Sequence, residues 1–313
     1  MRHLLSHSVY EDLSPFGDDV WSSLSSVGCD GLETLTAFGP ADPVYREYTE
    51  TVHLPYAVDW LAAWEDRPYD FDEETSRFVM YGRSREEVVR NLTDAIDCAS
   101  AFSPAQGVLH AANADIFDIF HRKYQRDSEY VLRAFADMVN QIVGEMPGGE
   151  PPFRILFENL WWPGLRLTDE SDFRFLSNRL EFDNWGICID TGHMMSSIPA
   201  IYTQKEGIDA LRDIFHGYSR DLVDRVKEVH FHWTASGKYR ETFEEKDLGD
   251  RDVMEFYGEA YAHVGMIDQH HPFTDPACRD LVEILQPDYV VHEMPGREGT
   301  PLEEFSIQRS LLD

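Results

Sequence analysis

Residues 185–193 read Trp-Gly-Ile-Cys-Ile-Asp-Thr-Gly-His, an apolar run that ends in Asp190 and His193. Trp185–Asp190 has the length and character of a buried strand. An ionisable residue at the C-terminal end of such a strand sits where α/β barrels keep their chemistry. The same form recurs on both sides of it. Expected strands are Leu4–Val9, Gly31–Thr36, Thr49–Pro55, Gly107–Ala112, Arg154–Asn159, Trp185–Asp190, Lys227–Trp233 and Asp288–Met294. Helical patterns lie between them, at Arg85–Ala101, Tyr130–Val143, Gly207–Val223, Asp252–Ala262 and Pro276–Leu285. Ser84 three residues before Glu87 is a capping-box start for the first of these. Alternating strands and helices imply a parallel sheet. Eight strands in 313 residues suit one α/β domain, a (β/α)8 barrel spanning 1–313.

Two irregularities are expected. Ala37–Tyr48 holds Gly39, Pro40 and Pro43, so the helix after the second strand is missing or very short. Val58–Gly82 is a long acidic and aromatic insertion after the third strand, to be read either as a lid over the site or as a surface excursion.

The third strand ends in His53, the fourth in His110 and the fifth in Glu158-Asn159. The sixth ends in Asp190 and His193, the seventh carries His230 and His232, and the eighth His292-Glu293. Side chains alternate along a strand. If Glu158 points into the barrel, so does Leu156, while Phe157 packs against helices. Asp190 goes with Cys188, Glu293 with Val291, and His230 with His232, whereas His292 faces the other way. Several carboxylates gathered at one buried mouth would repel and desolvate at high cost. A divalent cation resolves that cost, and mixed imidazole and carboxylate donors suit zinc, manganese, iron or cobalt better than magnesium or calcium. Cys188 lies one layer down and reads as core. His3, His7, His121, His216 and His263 read as packing or surface histidines.

The net charge is -31, with lysine only at Lys123, Lys205, Lys227, Lys238 and Lys246. Such a surface repels nucleic acid and anionic lipid, which are bound through Lys and Arg. It suits a strongly solvated protein, as in a high-salt habitat. The expected partner is a small molecule rather than nucleic acid or membrane. No run approaches the roughly 20 apolar residues of a membrane span, and the first residues lack a signal-peptide core. Cys29, Cys98, Cys188 and Cys278 are scattered without a CxxC pair, consistent with a reducing cytoplasm.

The strings VHLPY, FENLWWPG, CIDTGHMM, VHFHW and VVHEM, at 52–56, 157–164, 188–195, 229–233 and 290–294, resemble the xylose-isomerase-like barrel superfamily. That superfamily includes sugar and sugar-phosphate isomerases and epimerases and the endonuclease IV type of apurinic-site endonuclease. The resemblance runs from about Gly31 to Pro295. Its isomerase and epimerase branch implies one ion on Glu158, Asp190, His230 and Glu293, with His193 touching substrate oxygen. Its endonuclease IV branch implies a multi-zinc set that adds His53, His110, His193, Asp268 and His270. The stretch after the seventh-strand histidine departs from that branch, with His232-Trp233-Thr234 where it has Asn-Asp-Ser. So does Pro272-Phe273-Thr274, where it is glycine-rich. Both stretches lie where substrate is read.

Two activities follow. In the first, one to three zinc or manganese ions assist hydrolysis of a phosphoester in a small or nucleotide-like molecule, cobamides included. In the second, one divalent ion and the pair Glu158 and Glu293 isomerise or epimerise a sugar. Catalytic roles fall on Glu158, Glu293 and His193 in either. Asp268 and His270 favour the first, because a sugar isomerase has less need of them. His232, Trp161, Trp162 and Trp233 are candidates for substrate contact. An apurinic-site endonuclease and a non-catalytic binding protein are the remaining alternatives.

Overall fold

The computed structural model describes residues 1–249, 253–296 and 299–313. Its strands are β1 (Arg2–Ser8), β2 (Leu32–Leu35), β3 (Thr49–His53), β4 (Gln106–His110), β5 (Arg154–Glu158), β6 (Trp185–Asp190), β7 (Val226–His230) and β8 (Tyr289–His292). All pair in parallel in sequence order, and β8 closes on β1. The eight expected strands are all present, most of them ending one to a few residues earlier than expected. Asn159, His232 and Glu293 therefore sit just past the hydrogen-bonded ladder, where their side chains rise above the last rung.

Alternation sorts the residues as expected. Phe157 packs outward against Phe135, Phe182 and Trp185. Inside, Val108, Leu156 and Cys188 form a small apolar plug. His292 faces away from the mouth, toward Phe305. The barrel thus has a small apolar plug below a polar mouth.

Helix Arg85–Ser100 begins where Ser84 accepts a bond from the Glu87 amide. The segment expected as one helix over Gly207–Val223 is two, Gln204–His216 and Arg220–Arg225, the second capped by Ser219. Gly217 caps the end of the first, its N–H bonding to Ile214 O at 2.9 Å. The helix expected over Asp252–Ala262 runs from Val253 to Ile267, and Asp252 lies outside the described residues. Pro276–Cys278 forms a 3-10 turn that leads into helix Arg279–Leu285. After β2 only the 3-10 turn Pro43–Glu47 forms. Asp42 caps it, and proline at its first position needs no donor there.

The insertion Val58–Gly82 is divided: Asp66–Pro68, Asp70 and Asp72–Glu74 are exposed, while its first helix is packed inside. Its helix Trp60–Trp64 is buried at every residue. The Trp60 indole donates to Ala112 O at 2.8 Å, and the Asn113 amide joins Leu61 N at 2.9 Å and Asp59 Oδ1 at 2.9 Å. These bonds key the segment to the chain after β4 as a packed wall beside the mouth.

Candidate active site

β4 and β5 pair with His110 opposite Glu158, and β6 and β7 with Asp190 opposite His230. This register lifts the ionisable residues to one end. Glu158 lies at their centre and is fully buried. Its Oε2 is 3.1 Å from both His53 Nε2 and His110 Nε2. Its Oε1 is 3.2 Å from His193 Nδ1 and 3.3 Å from His230 Nδ1. The two oxygens of one carboxylate thus face two separate groups of donors.

Asp190 serves structure and site together. It caps helix Thr191–Ser197, its Oδ1 accepting from His193 N at 2.6 Å. Its Oδ2 is left for the mouth, 2.9 Å from His232 Nε2. Asn159 ties β5 to β6 by accepting from Asp190 N at 2.9 Å and donating to Asp190 O at 3.0 Å. The Thr191 hydroxyl reaches His232 O at 2.6 Å and so pins the end of β7. Gly192 is required at its place: a Cβ there would stand 2.1 Å from the His232 ring.

The far rim comes from the loop before β8. Asp268 Oδ2 lies 2.7 Å from His270 Nε2 and 3.3 Å from His193 Nε2. His270 sits at φ 50°, a left-handed conformation that costs a non-glycine residue free energy and clusters at functional sites. Its ring stacks on His232 at 4.0 Å, and its Nδ1 is 3.5 Å from Glu293 Oε2. Groups His53–His110–Glu158, Glu158–Asp190–His193 and His232–His270–Glu293 each bring their donor atoms within 4.8 Å.

Electrostatics follow from this crowding. Burial works against charge on every member, but the carboxylates hold His53 and His193 above the ordinary imidazole range and raise His232 to about 10. Burial keeps His110 low. The imidazoles in turn hold Glu158, Asp268 and Glu293 well below the usual carboxylate range despite burial.

The donor set fits a divalent cation, and one atom shows it best. His230 Nδ1 is fully buried and has no hydrogen-bond partner. Around it stand Glu158 Oε1 at 3.3 Å, Glu293 Oε1 at 3.5 Å and Asp190 Oδ2 at 3.9 Å. A lone pair facing three carboxylate oxygens is repulsive unless a proton or a cation lies between them.

Beside this cluster opens a cavity of about 260 Å³. His110, His193, Asp268 and His270 form its polar end, while Tyr56, Trp161, Trp162, Tyr257 and Tyr261 line much of the rest. Tyr56 stacks on His110 at 4.8 Å. Neither Lys nor Arg is among the described lining residues. Trp161 and Trp162 thus belong both to the core and to the cavity wall. Trp233 does not reach the cavity: its indole donates to Pro272 O at 3.0 Å, and its backbone pairs with His271. The sequence reading missed Tyr56, Tyr257 and Tyr261. It also missed two fully buried carboxylates inside the barrel, Glu33 and Glu228. Glu228 shares its face with His230 by alternation, and Tyr257 and Tyr261 share a face of helix Val253–Ile267 four residues apart, signals that were available; that this face meets Tyr56 was not, because Tyr56 comes from a distant segment.

No family model and no curated protein matches the chain. Similar solved structures include endonuclease IV from Thermus thermophilus, at 14% identity and TM-score 0.53, covering 100% of this chain and 99% of that one. A D-tagatose 3-epimerase-like protein matches at 15% identity and TM-score 0.51, over 100% and 97%. The IolI protein with a bound zinc atom matches at 10% and 0.50, over 99% and 95%. This chain has the barrel fold that endonuclease IV and the sugar epimerases share, as its strand-end motifs led one to expect.

Proposed function

We propose that this chain is a metal-dependent enzyme that isomerises or epimerises a neutral sugar-like substrate. The observation that carries the metal is the unpartnered His230 Nδ1 among Glu158, Asp190 and Glu293. These four residues would hold a divalent ion, which when bound supplies Lewis-acid polarisation of a carbonyl and hydroxyl. Glu158 and Glu293 border the same gap and would take and return a carbon-bound proton as base and acid. His193, its Nδ1 committed to Asn159 O at 3.0 Å, would turn Nε2 toward substrate oxygen. The aromatic wall would exclude water and pack the carbon face of the substrate. A cavity lined without Lys or Arg supports an uncharged substrate. The epimerase-like neighbours support this reaction over the phosphoester hydrolysis that the sequence favoured.

The hydrolase stands as a second reading on one specific observation. The two oxygens of Glu158 face separate donor groups, as a carboxylate bridging two ions would. His53 and His110 would hold one ion with Glu158; Asp190, His230 and Glu293 a second; and His193, Asp268 and His270 a third. Nucleic acid is not proposed as the substrate, because a net charge of -31 opposes phosphate contacts.

The test is metal per chain, by elemental analysis, before and after replacing His53 and His110 together with Ala. The isomerase reading expects a value near one that the double change leaves in place, with deuterium from solvent entering a ketose substrate. A fall from two or more ions, with phosphatase activity lost by orders of magnitude, would replace it with the hydrolase.

A further inference from the structure

We propose that Glu33, on β2, is the positioning residue that fixes His230 for metal binding, while Gln106 holds the neighbouring Glu228 off that ring. The inference rests on the metal reading above and adds residues below the mouth to it.

Glu33 pairs with Ser6 on β1 and with Thr51 on β3, two residues below His53. Its side chain enters the barrel and is fully buried, as is that of Glu228. Removing a carboxylate from water costs several kcal/mol unless it is paired, so two such groups beside an apolar plug need a reason. Their common neighbour is His230. Its Nε2 stands 3.1 Å from Glu33 Oε2, a hydrogen bond, and 3.6 Å from Glu228 Oε1, too far for a good one. The Gln106 amide donates to Glu228 Oε2 at 2.8 Å and so gives Glu228 a partner of its own.

A neutral imidazole has one N–H, and the partner of one nitrogen decides what the other presents. With Nε2–H donated to Glu33, Nδ1 turns its lone pair to the gap between Glu158, Asp190 and Glu293. The opposite tautomer would set a lone pair against Glu33 and drive a hydrogen into the gap where an ion would bind. Glu33 also makes the ring a stronger donor, as outer carboxylates do for metal-bound histidines.

The experiment is Zn²⁺ affinity of the full chain, stripped of metal, by competition with a chromophoric chelator, with melting of the metal-free protein alongside. Glu33→Ala is expected to weaken affinity about 10- to 100-fold. Glu33→Gln keeps an accepting oxygen without the charge and is expected to lose an intermediate amount. Glu228→Gln is expected to stay close to wild type. Wild-type affinity in both Glu33 variants, or a larger loss in Glu228→Gln, would overturn the assignment. A merely structural role would lower melting of the metal-free form and leave affinity per folded chain unchanged, which also overturns it. If Glu33→Ala does not fold, Glu33→Gln against Glu228→Gln decides. Failure of the underlying reading looks different: wild type takes up no ion, or His230→Ala binds as well as wild type.

Discussion

Two pairs of buried histidines sit on neighbouring stretches of the same sheet and behave in opposite ways. His230 and His232, at the mouth, face Glu158, Asp190, Glu293 and Glu33. His3 and His292, on the helix side of β1 and β8, face each other at 3.1 Å, with Phe305 and Gln308 around them. The Gln308 amide donates to His292 Nδ1 at 2.7 Å, so His292 Nε2 carries the hydrogen and donates to His3 Nδ1. The first pair is ringed by carboxylates, which favour either a proton or a cation among them. Burial first, and the nearby Arg309 second, lowers His3 to about 4, and burial pushes His292 well below the imidazole range. Both pairs are buried, so burial does not separate a site from a core; the partners do.

The largest effect tests the mouth. Glu158→Gln removes the carboxylate on which His53, His110, His193 and His230 converge, and leaves core volume unchanged. Turnover is expected to vanish, and metal affinity to fall by more than the ~100-fold typical of an outer partner. Full activity in this variant would erase the distinction drawn between the pairs. Metal removal sharpens the same point. With free ion at about 100 times its dissociation constant, binding adds about 2.7 kcal/mol, so chelation should lower the melting temperature of wild type and not that of Glu158→Gln.

The next effect tests the other pair. A histidine lowered from 6.5 to about 4 on folding stays neutral in the fold while the unfolded chain takes up a proton. Its contribution is present above pH 6.5 and is lost as pH falls toward 4. His3 alone should cost about 2 kcal/mol between about pH 7 and pH 5. Urea unfolding at the two pH values, in wild type and in His3→Leu, should show the smaller acid loss in the variant. Equal losses would mean that His3 is not held neutral.

A smaller effect concerns how the mouth is assembled. Gly192→Ala puts a methyl 2.1 Å from the His232 ring. Overpacking of this kind costs about 1–3 kcal/mol. Stability by urea unfolding should drop by that amount, and metal affinity should fall as the ring is displaced from Asp190. An unchanged variant would mean that His232 is not fixed where it stands.

Much of this molecule was legible before any coordinates. The eight strands declared themselves as largely apolar runs, six of them ending in His53, His110, Glu158, Asp190, His230 and Glu293, because a buried parallel strand is mostly apolar, whereas Glu33 and Glu228, inside the runs, gave no such strand-end signal. Alternation placed Phe157 outside and Cys188 inside. The break at Gly217 was hidden, because the apolar spacing of 207–223 continues across it. The insertion was legible only in part: Asp66, Asp70, Asp72, Glu73 and Glu74 lie at the surface as their charge suggests, while Trp60–Trp64 is held inside by bonds to Ala112 and Asn113.

The sequence by itself determined which residues point into the barrel and at which end the ionisable ones gather, since the two-residue repeat and the apolar run are local properties of one strand. Only the tertiary structure decided who meets whom: His230 with Glu33 from a strand far away in sequence, His3 with His292 across the closing seam, and Tyr56 with Tyr257 and Tyr261 along one cavity. The reason is that barrel closure and register fix the height of one strand against another. They depend on the packing of the whole sheet, and no single strand carries them.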